Sequence, residues 1–313
     1  MRDLRSSGSG VKRLPGLLLL LVAVVALVVA GCSNNDDSAS GGASGNVAIT
    51  PTSVDVAKQA DIAALLPANI RESGQLIVGV NVPYAPNEFK DSSGKIIGFD
   101  VDLMNAVAKV LGLTAVYKEA DFAKIIPAIQ AGTFNVGMSS FTDSKEREAQ
   151  VDFVTYYNAG IQWAQRKGEP VDPNNACGKR VAVQATTVED TDDVPNKSKA
   201  CTDAGKPAIQ KVKFDSQAEA TNALIVGKVD AMSADSPVTA YAIKQSGGKI
   251  EPAGSVFDSA PYGYPVAKGS SLSQALQKAV QHLIDNGQYK AITEHWGVES
   301  GAIPTSVING AVS

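Results

Sequence analysis

Apolar positions along the chain fall into three regimes. Residues 17–30 are an unbroken apolar run of fourteen, preceded by Arg2, Arg5, Lys12 and Arg13. Residues 33–46 are built from Ser, Asn, Asp, Gly and Ala alone. A folded body is expected to begin between Asp55 and Ser73, where apolar residues start to recur with the periods of strands and helices. The β-branched run at 75–81 predicts a buried strand. Asp100 then precedes Val101, Met104, Val107, Ala108 and Leu111 at helical spacing, with Gly112 as the stop. Asp121 is placed to cap a second helix through Ile125, Ile126 and Ile129, closed by Gly132. A strand over 134–138 leads to Ser144, read as the cap of a helix whose first turn holds Lys145, Glu146 and Arg147. Gly168, Pro170 and Pro173 break the pattern, which then restarts. A strand at 180–184 meets a Thr186/Glu189 capping box, and a Ser216/Glu219 capping box opens a helix that closes at Gly227. A strand over 228–232 runs on to Asp235 just before Pro237, and an amphipathic helix covers 271–286. Two successive α/β units predict an α/β fold of two lobes, each with a largely parallel sheet.

Composition narrows the function classes. The 313 residues are 44% apolar and 19% charged, an ordinary globular mixture with room for two domains. Net charge is −4, and because residues 1–31 carry +3 the remainder carries −7. Such a body repels phosphate backbones, so no nucleic-acid partner is expected. Two histidines and three cysteines exclude a His-rich metal centre or zinc ribbon, so neither metal nor cofactor is expected. His282 reads as a helix-surface residue and His295 as a packing one, while Met104 and Met138 read as core.

The first segment is an address. Fourteen apolar residues suit a signal-peptide core and are short for a permanent span. The run ends Val29-Ala30-Gly31-Cys32, which resembles the lipobox of bacterial lipoproteins. The resemblance implies a signal peptide over 1–31, a lipidated Cys32 at the mature N-terminus carrying palmitate-type acyl chains, and a protein exported and anchored to the outer face of the cell membrane. At roughly 0.8 kcal/mol per buried CH₂, two acyl chains suffice for that anchor. The other reading is an uncleaved anchor helix with an incidental cysteine. Residues 33–46 then read as a flexible tether with roughly 20 Å of reach. In an oxidising compartment Cys177 and Cys201 are most simply a disulfide, with two independent buried thiols as the alternative. A cysteine nucleophile finds no histidine near it in sequence.

Open α/β sheets bind ligands beyond the carboxyl ends of their strands. Those ends carry Asn81 to Tyr84, Ser139 to Thr142, Ala185 to Thr187, and Asp235. Hydroxyls and helix-start amides there are joined by one cation, Arg147, whose planar fork suits a carboxylate. Asp235 suits an ammonium, and the pair matches a zwitterion. Arg147 beside Glu146 and Glu148 reads equally as a solvated charge cluster, and Asp235 as a helix cap.

From Gly74 to Gly297 the chain resembles the polar amino-acid-binding proteins of ABC importers, solute-binding family 3. The resemblance rests on Gly74-Gln-Leu-Ile-Val-Gly-Val, Gly94-Lys-Ile-Ile-Gly-Phe-Asp-Val-Asp-Leu, Met138-Ser-Ser-Phe-Thr-Asp-Ser-Lys-Glu-Arg147, Gly178-Lys-Arg-Val-Ala-Val-Gln-Ala-Thr-Thr187, Gly227-Lys-Val-Asp-Ala231 and His295-Trp-Gly297, in the family's order. It implies a two-lobed periplasmic-binding-protein-like fold with two hinge strands and a central ligand cleft. Lobe 1 would comprise 61–165 and 265–313, lobe 2 166–264, and the lipidated tether 32–60. Arg147 would clamp the α-carboxylate with Thr142, Ser140 and Thr187. Asp235 and Ser140 would receive the α-ammonium, Tyr84 and Phe122 would sandwich the side chain, and Ser139 and Thr186 would complete the site. Ordinary core packing is the other reading of Tyr84 and Phe122. Asn81 stands where binders of cationic side chains often carry Asp, which favours a neutral or acidic side chain. Ala185, where the family motif usually has Gly, and Asn87, in place of a frequent Phe, depart from the pattern.

The implied function is that of a monomeric, non-enzymatic substrate-binding lipoprotein that hands an amino acid to an ABC permease and its ATPase. Two rivals remain at this point: a secreted enzyme resembling cyclohexadienyl dehydratase, for which Glu88 is the one nameable general acid or base, and a surface sensor presenting ligand to a receptor.

Overall fold

The computed structural model describes residues 50–312. The expected signal peptide at 1–31, the lipidated Cys32 and the tether at 33–46 lie outside the described residues. No described helix is long and apolar enough to cross a membrane. The stretch up to residue 60, expected to continue the tether, is docked from Thr52 onward. Thr52 N donates to Asp102 Oδ2 (2.8 Å) and Gln59 N to Val110 O (2.9 Å), while Val54 and Val56 pack on the core.

Ten strands follow in order: β1 Gln75–Val80, β2 Phe89–Lys90, β3 Ile96–Ile97, β4 Thr114–Glu119, β5 Val136–Gly137, β6 Asp152–Arg166, β7 Arg180–Gln184, β8 Gln210–Phe214, β9 Ala231–Asp235 and β10 Ile250–Val266. Eight of them form one sheet in the order β4-β1-β5-β10-β6-β9-β7-β8, and β2 and β3 pair as a separate ribbon. Pairing is parallel within each end of the sheet, β4-β1-β5 and β9-β7-β8. The two long strands β6 and β10 run antiparallel through the middle and belong to both halves. Their register slips between Ala253 and Phe257, between Phe257 and Ala260, and between Tyr262 and Gly263. Such bulges bend and twist a ladder locally, so the two halves meet across two strands that are bent in their middle.

Each half has its own core. Leu76, Val78, Phe99, Leu103, Val107, Leu276, Ala279 and Leu283 share one cluster, which puts the Leu272–Asp285 helix on the β1 half. Trp163, Val181, Val183, Val194 and Cys201 form another on the β7 half. There Cys177 and Cys201 are joined in a disulfide. The helix expected from Val101 begins two residues earlier, at Phe99, and Asp100 is a fully buried residue of its first turn. Gly98 precedes it at φ 141°, where a Cβ would stand 2.1 Å from Asn87 O, so only glycine admits this approach. The Ser216 capping box forms as read.

The C-terminal tail straps the edge of the β1 half. Thr155 N donates to Val307 O and Asn309 N to Phe153 O, and beyond them Gly310 N reaches Asp143 Oδ2 (2.7 Å) and Ala311 N reaches Glu148 Oε1 (3.1 Å).

Candidate functional site

The carboxyl ends of β1, β5, β7 and β9 converge on one cleft between the halves. Its small cavity is lined by residues that include nine of the ten read from sequence: Asn81, Tyr84, Phe122, Ser139, Ser140, Thr142, Arg147, Thr187 and Asp235. Thr186 is the tenth. It lies on the outer groove and meets the site through its carbonyl, which accepts from Arg147 Nη2 at 3.0 Å.

Arg147 is not part of a solvated cluster. Ser144 Oγ accepts from Arg147 N and starts a short helix, Lys145–Glu148, so the side chain departs toward the cleft. Its guanidinium lies 5.7 Å from the ring centres of both Phe122 and Phe141, which are themselves stacked at 4.3 Å. Nη1 donates to Thr142 O at 2.8 Å. Burial lowers the Arg147 pKa, while the charges of Glu189 and Asp235 oppose the shift. No carboxylate lies within ion-pair distance of Arg147 among the described residues.

Asp235 is the residue before the Ser236–Gln245 helix, yet its side chain makes no capping hydrogen bond. It faces the cleft and accepts from Tyr84 Oη at 2.6 Å. Burial raises its pKa to about 6.

Three hydrogen bonds tie the halves together across the cleft: Tyr84 to Asp235, Arg147 to Thr186 O, and Gln184 Nε2 to Asn81 Oδ1 at 2.8 Å. Asn81 is thus an interlobar bridge, with Nδ2 donating to Ala120 O. Asn87 is buried outside the cavity lining and donates to Ser140 Oγ.

The principal residue missed in the sequence is Glu189. The spacing predicts it as the capping partner of Thr186, but that box does not form. Thr186 sits at φ 65°, its N–H donates to Asp190 Oδ2, and Glu189–Asp193 winds as a π-helical turn. Asp190 is committed to Lys211 and Lys213 at 2.7 and 2.9 Å. Glu189 instead lines the cavity, is 1% exposed, and its Oε1 has no hydrogen-bond partner. Burial and then the charge of Asp235 raise its pKa to about 8. The available signal was two adjacent acids after a strand end with cations supplied for only one. Gln184 and Val188 also line the cavity and were not singled out. Glu88, the candidate general acid or base, does not line it, since Ser139 and Ser140 stand on the cavity side.

Known proteins are similar to this chain in sequence and fold. The arginine-binding protein ArgT of Corynebacterium glutamicum is 45% identical over 251 residues, covering 80% of this chain and 83% of its own. The ABC transporter glutamine-binding protein GlnH of Bacillus subtilis is 29% identical over 241 residues, covering 75% and 85%. Among solved structures, an ancestral arginine-binding protein bound to arginine superposes with a TM-score of 0.66 at 36% identity, covering 71% of this chain and 98% of that one. The sequence model of the bacterial extracellular solute-binding proteins, family 3, matches residues 76–299. With that match over more than half of its length, on two bent strands and a cleft between two α/β halves, the chain belongs to family 3 of the bacterial extracellular solute-binding proteins.

Proposed function

We propose that this protein captures an amino acid with a cationic side chain, arginine first, and delivers it to an ABC permease without transforming it. The observation that carries the reading is the charge inventory of the cleft: one cation, Arg147, faces two buried carboxyl groups, Asp235 and Glu189. A zwitterion engages Arg147 through its carboxylate and Asp235 through its ammonium, which leaves Glu189 unpaired. Its raised pKa keeps Glu189 protonated in that case, and a second positive charge on the ligand would ionise and pair it, because a buried carboxylate is stable only with a partner. The named specificities of the arginine-binding relatives support the same choice. This replaces the neutral or acidic side chain suggested by Asn81, whose amide is spent on bridging Ala120 and Gln184. Thr142, Ser140 and Thr187 assist at the carboxylate end, Tyr84 and Phe122 flank the side chain, and Ser139 and Thr186 support the cleft wall. Lobe 1 takes residues 61–165 and 265–313, lobe 2 takes 166–264, and Cys32 supplies the lipid anchor of an exported, monomeric protein.

Isothermal titration with arginine, citrulline, glutamine and glutamate tests the assignment. Citrulline keeps the shape of arginine and lacks its charge, and is expected to bind roughly a hundredfold more weakly. Glutamate binding as tightly as arginine would reverse the side-chain assignment, and no heat with any amino acid would overturn the function itself. Tyr84→Phe removes the donor to Asp235, a hydrogen bond to a charged group worth about 1.5–3 kcal/mol. Arginine affinity is expected to fall by about tenfold to a hundredfold. An unchanged Kd would show that the Tyr84–Asp235 hydrogen bond does not support capture.

A further inference from the structure

Behind the cleft wall lie two carboxyl groups that the binding reading does not use. Glu88 and Asp100 are both fully buried and converge on one hydroxyl. Ser140 Oγ is 3.4 Å from Glu88 Oε2 and 3.2 Å from Asp100 Oδ2, and Ser140 N donates to the same Asp100 oxygen at 3.2 Å. Ser139 Oγ donates to Glu88 Oε1 at 3.0 Å, and Tyr156 Oη to Asp100 Oδ2 at 2.7 Å. Neither acid has an ion-pair partner among the described residues. The titratable groups facing them are the phenols of Tyr84, Tyr117, Tyr156, Tyr157, Tyr264 and Tyr289 and, at longer range, Asp235; none of these is a cation.

Counting hydrogens shows a deficit. The Ser140 hydroxyl has one proton and two carboxyl groups to serve. Asp100 Oδ1 and Asn87 Oδ1 are buried acceptors with no donor at all. Two adjacent carboxylates in a dry site cannot both ionise, and retaining one proton supplies the missing donor while cancelling one charge. Burial displaces both acids upward, Asp100 to about 6 and Glu88 well above the usual carboxylate range, with the Asp100 charge as the second cause for Glu88.

What the pair holds is a ligand-facing loop in an unfavourable shape. Ser140 has φ 51°, a left-handed conformation that a serine adopts only when its surroundings impose it. We infer that Glu88 and Asp100 share one proton and act together as the positioning element that holds Ser139 and Ser140 against the bound amino acid. The inference rests on the amino-acid-binding reading of the cleft. When the pair loses its shared proton, two like charges face each other, the Ser139–Ser140 loop loses its anchor, and affinity drops as pH rises.

Glu88→Gln and Asp100→Asn each replace one acid by a neutral isostere that carries its own N–H donors. Arginine Kd is to be measured by titration calorimetry for both variants and the wild type from pH 6 to pH 9. At pH 6 both variants are expected to bind within about threefold of wild type. At pH 9 Glu88→Gln is expected to bind about tenfold more tightly than wild type, the effect of one ionisation. Glu88→Ala, which restores no donor, is expected to bind at least tenfold more weakly at pH 6. Because the comparison is a ratio at each pH, the titration of Glu189 and the ligand cancels. Asp235 feels the charge of Asp100, so a pH-dependent ratio supports the inference only when Glu88→Gln shows it. A ratio of Glu88→Gln to wild type that stays constant across pH overturns the inference, whereas a wild type that binds no amino acid at pH 6 instead overturns the reading it rests on.

Discussion

Alanine at position 147 is expected to abolish measurable amino-acid capture. The guanidinium is held between Phe122 and Phe141 and bonded to the carbonyls of Thr142 and Thr186, one on each side of the cleft. Removing it strands the ligand carboxylate in a desolvated cavity and leaves two carbonyls without donors. Breaking a buried pair by deleting one partner costs about 3–5 kcal/mol, so Kd should rise by roughly 10²–10³ or more. Arg147→Lys should recover little, since a point charge on a flexible stem cannot serve two carbonyls and a carboxylate at once. Calorimetric titration of the folded variants, with folding checked by circular dichroism, provides the measurement. Arginine bound by Arg147→Ala within threefold of wild type would refute the carboxylate assignment.

The second large effect concerns stability rather than affinity. Cys177 and Cys201 are 24 residues apart and close a loop that carries most of the Val194–Asp203 helix. In the chain-entropy view a closed loop of that size stabilises the fold by roughly 3–4 kcal/mol. The double substitution to serine should therefore lower the melting temperature by on the order of 10 °C for a chain of this size. Cys201 is also packed with Trp163, Val181 and Val194, so the serine hydroxyl adds to the loss. Identical melting curves for the oxidised wild type and the double variant would show that the bridge closes a loop already ordered without it.

Local chemistry made much of the site readable before any coordinates. Ser144 announces the helix start that aims Arg147, and Pro237 marks the helix after Asp235, so both charges could be placed at strand ends. The same local rules misplaced one acid. Glu189 sits where the partner of a capping box belongs, and nothing nearby in sequence reveals that tertiary burial has claimed it instead. Two edge strands were also missed. In β4 and β8 apolar and polar residues mix over five or six positions, as solvent-facing edges allow. The length of β10 was hidden because its first half is largely exposed and interrupted by Glu251, Pro252, Gly254, Ser255 and Asp258, while its second half is buried. That both halves are one strand follows only from pairing with β6, a partner about a hundred positions away in the chain.

The strap made by the last residues has a practical consequence. Gly310 and Ala311 bind the side chains of Asp143, just before the short helix that presents Arg147, and Glu148, its last residue. A purification tag or fluorescent reporter fused after Ser313 would hang from the very segment that braces the anion grip. Such a fusion would disturb capture if it pulled the strap away, and would report on capture if it stayed in place.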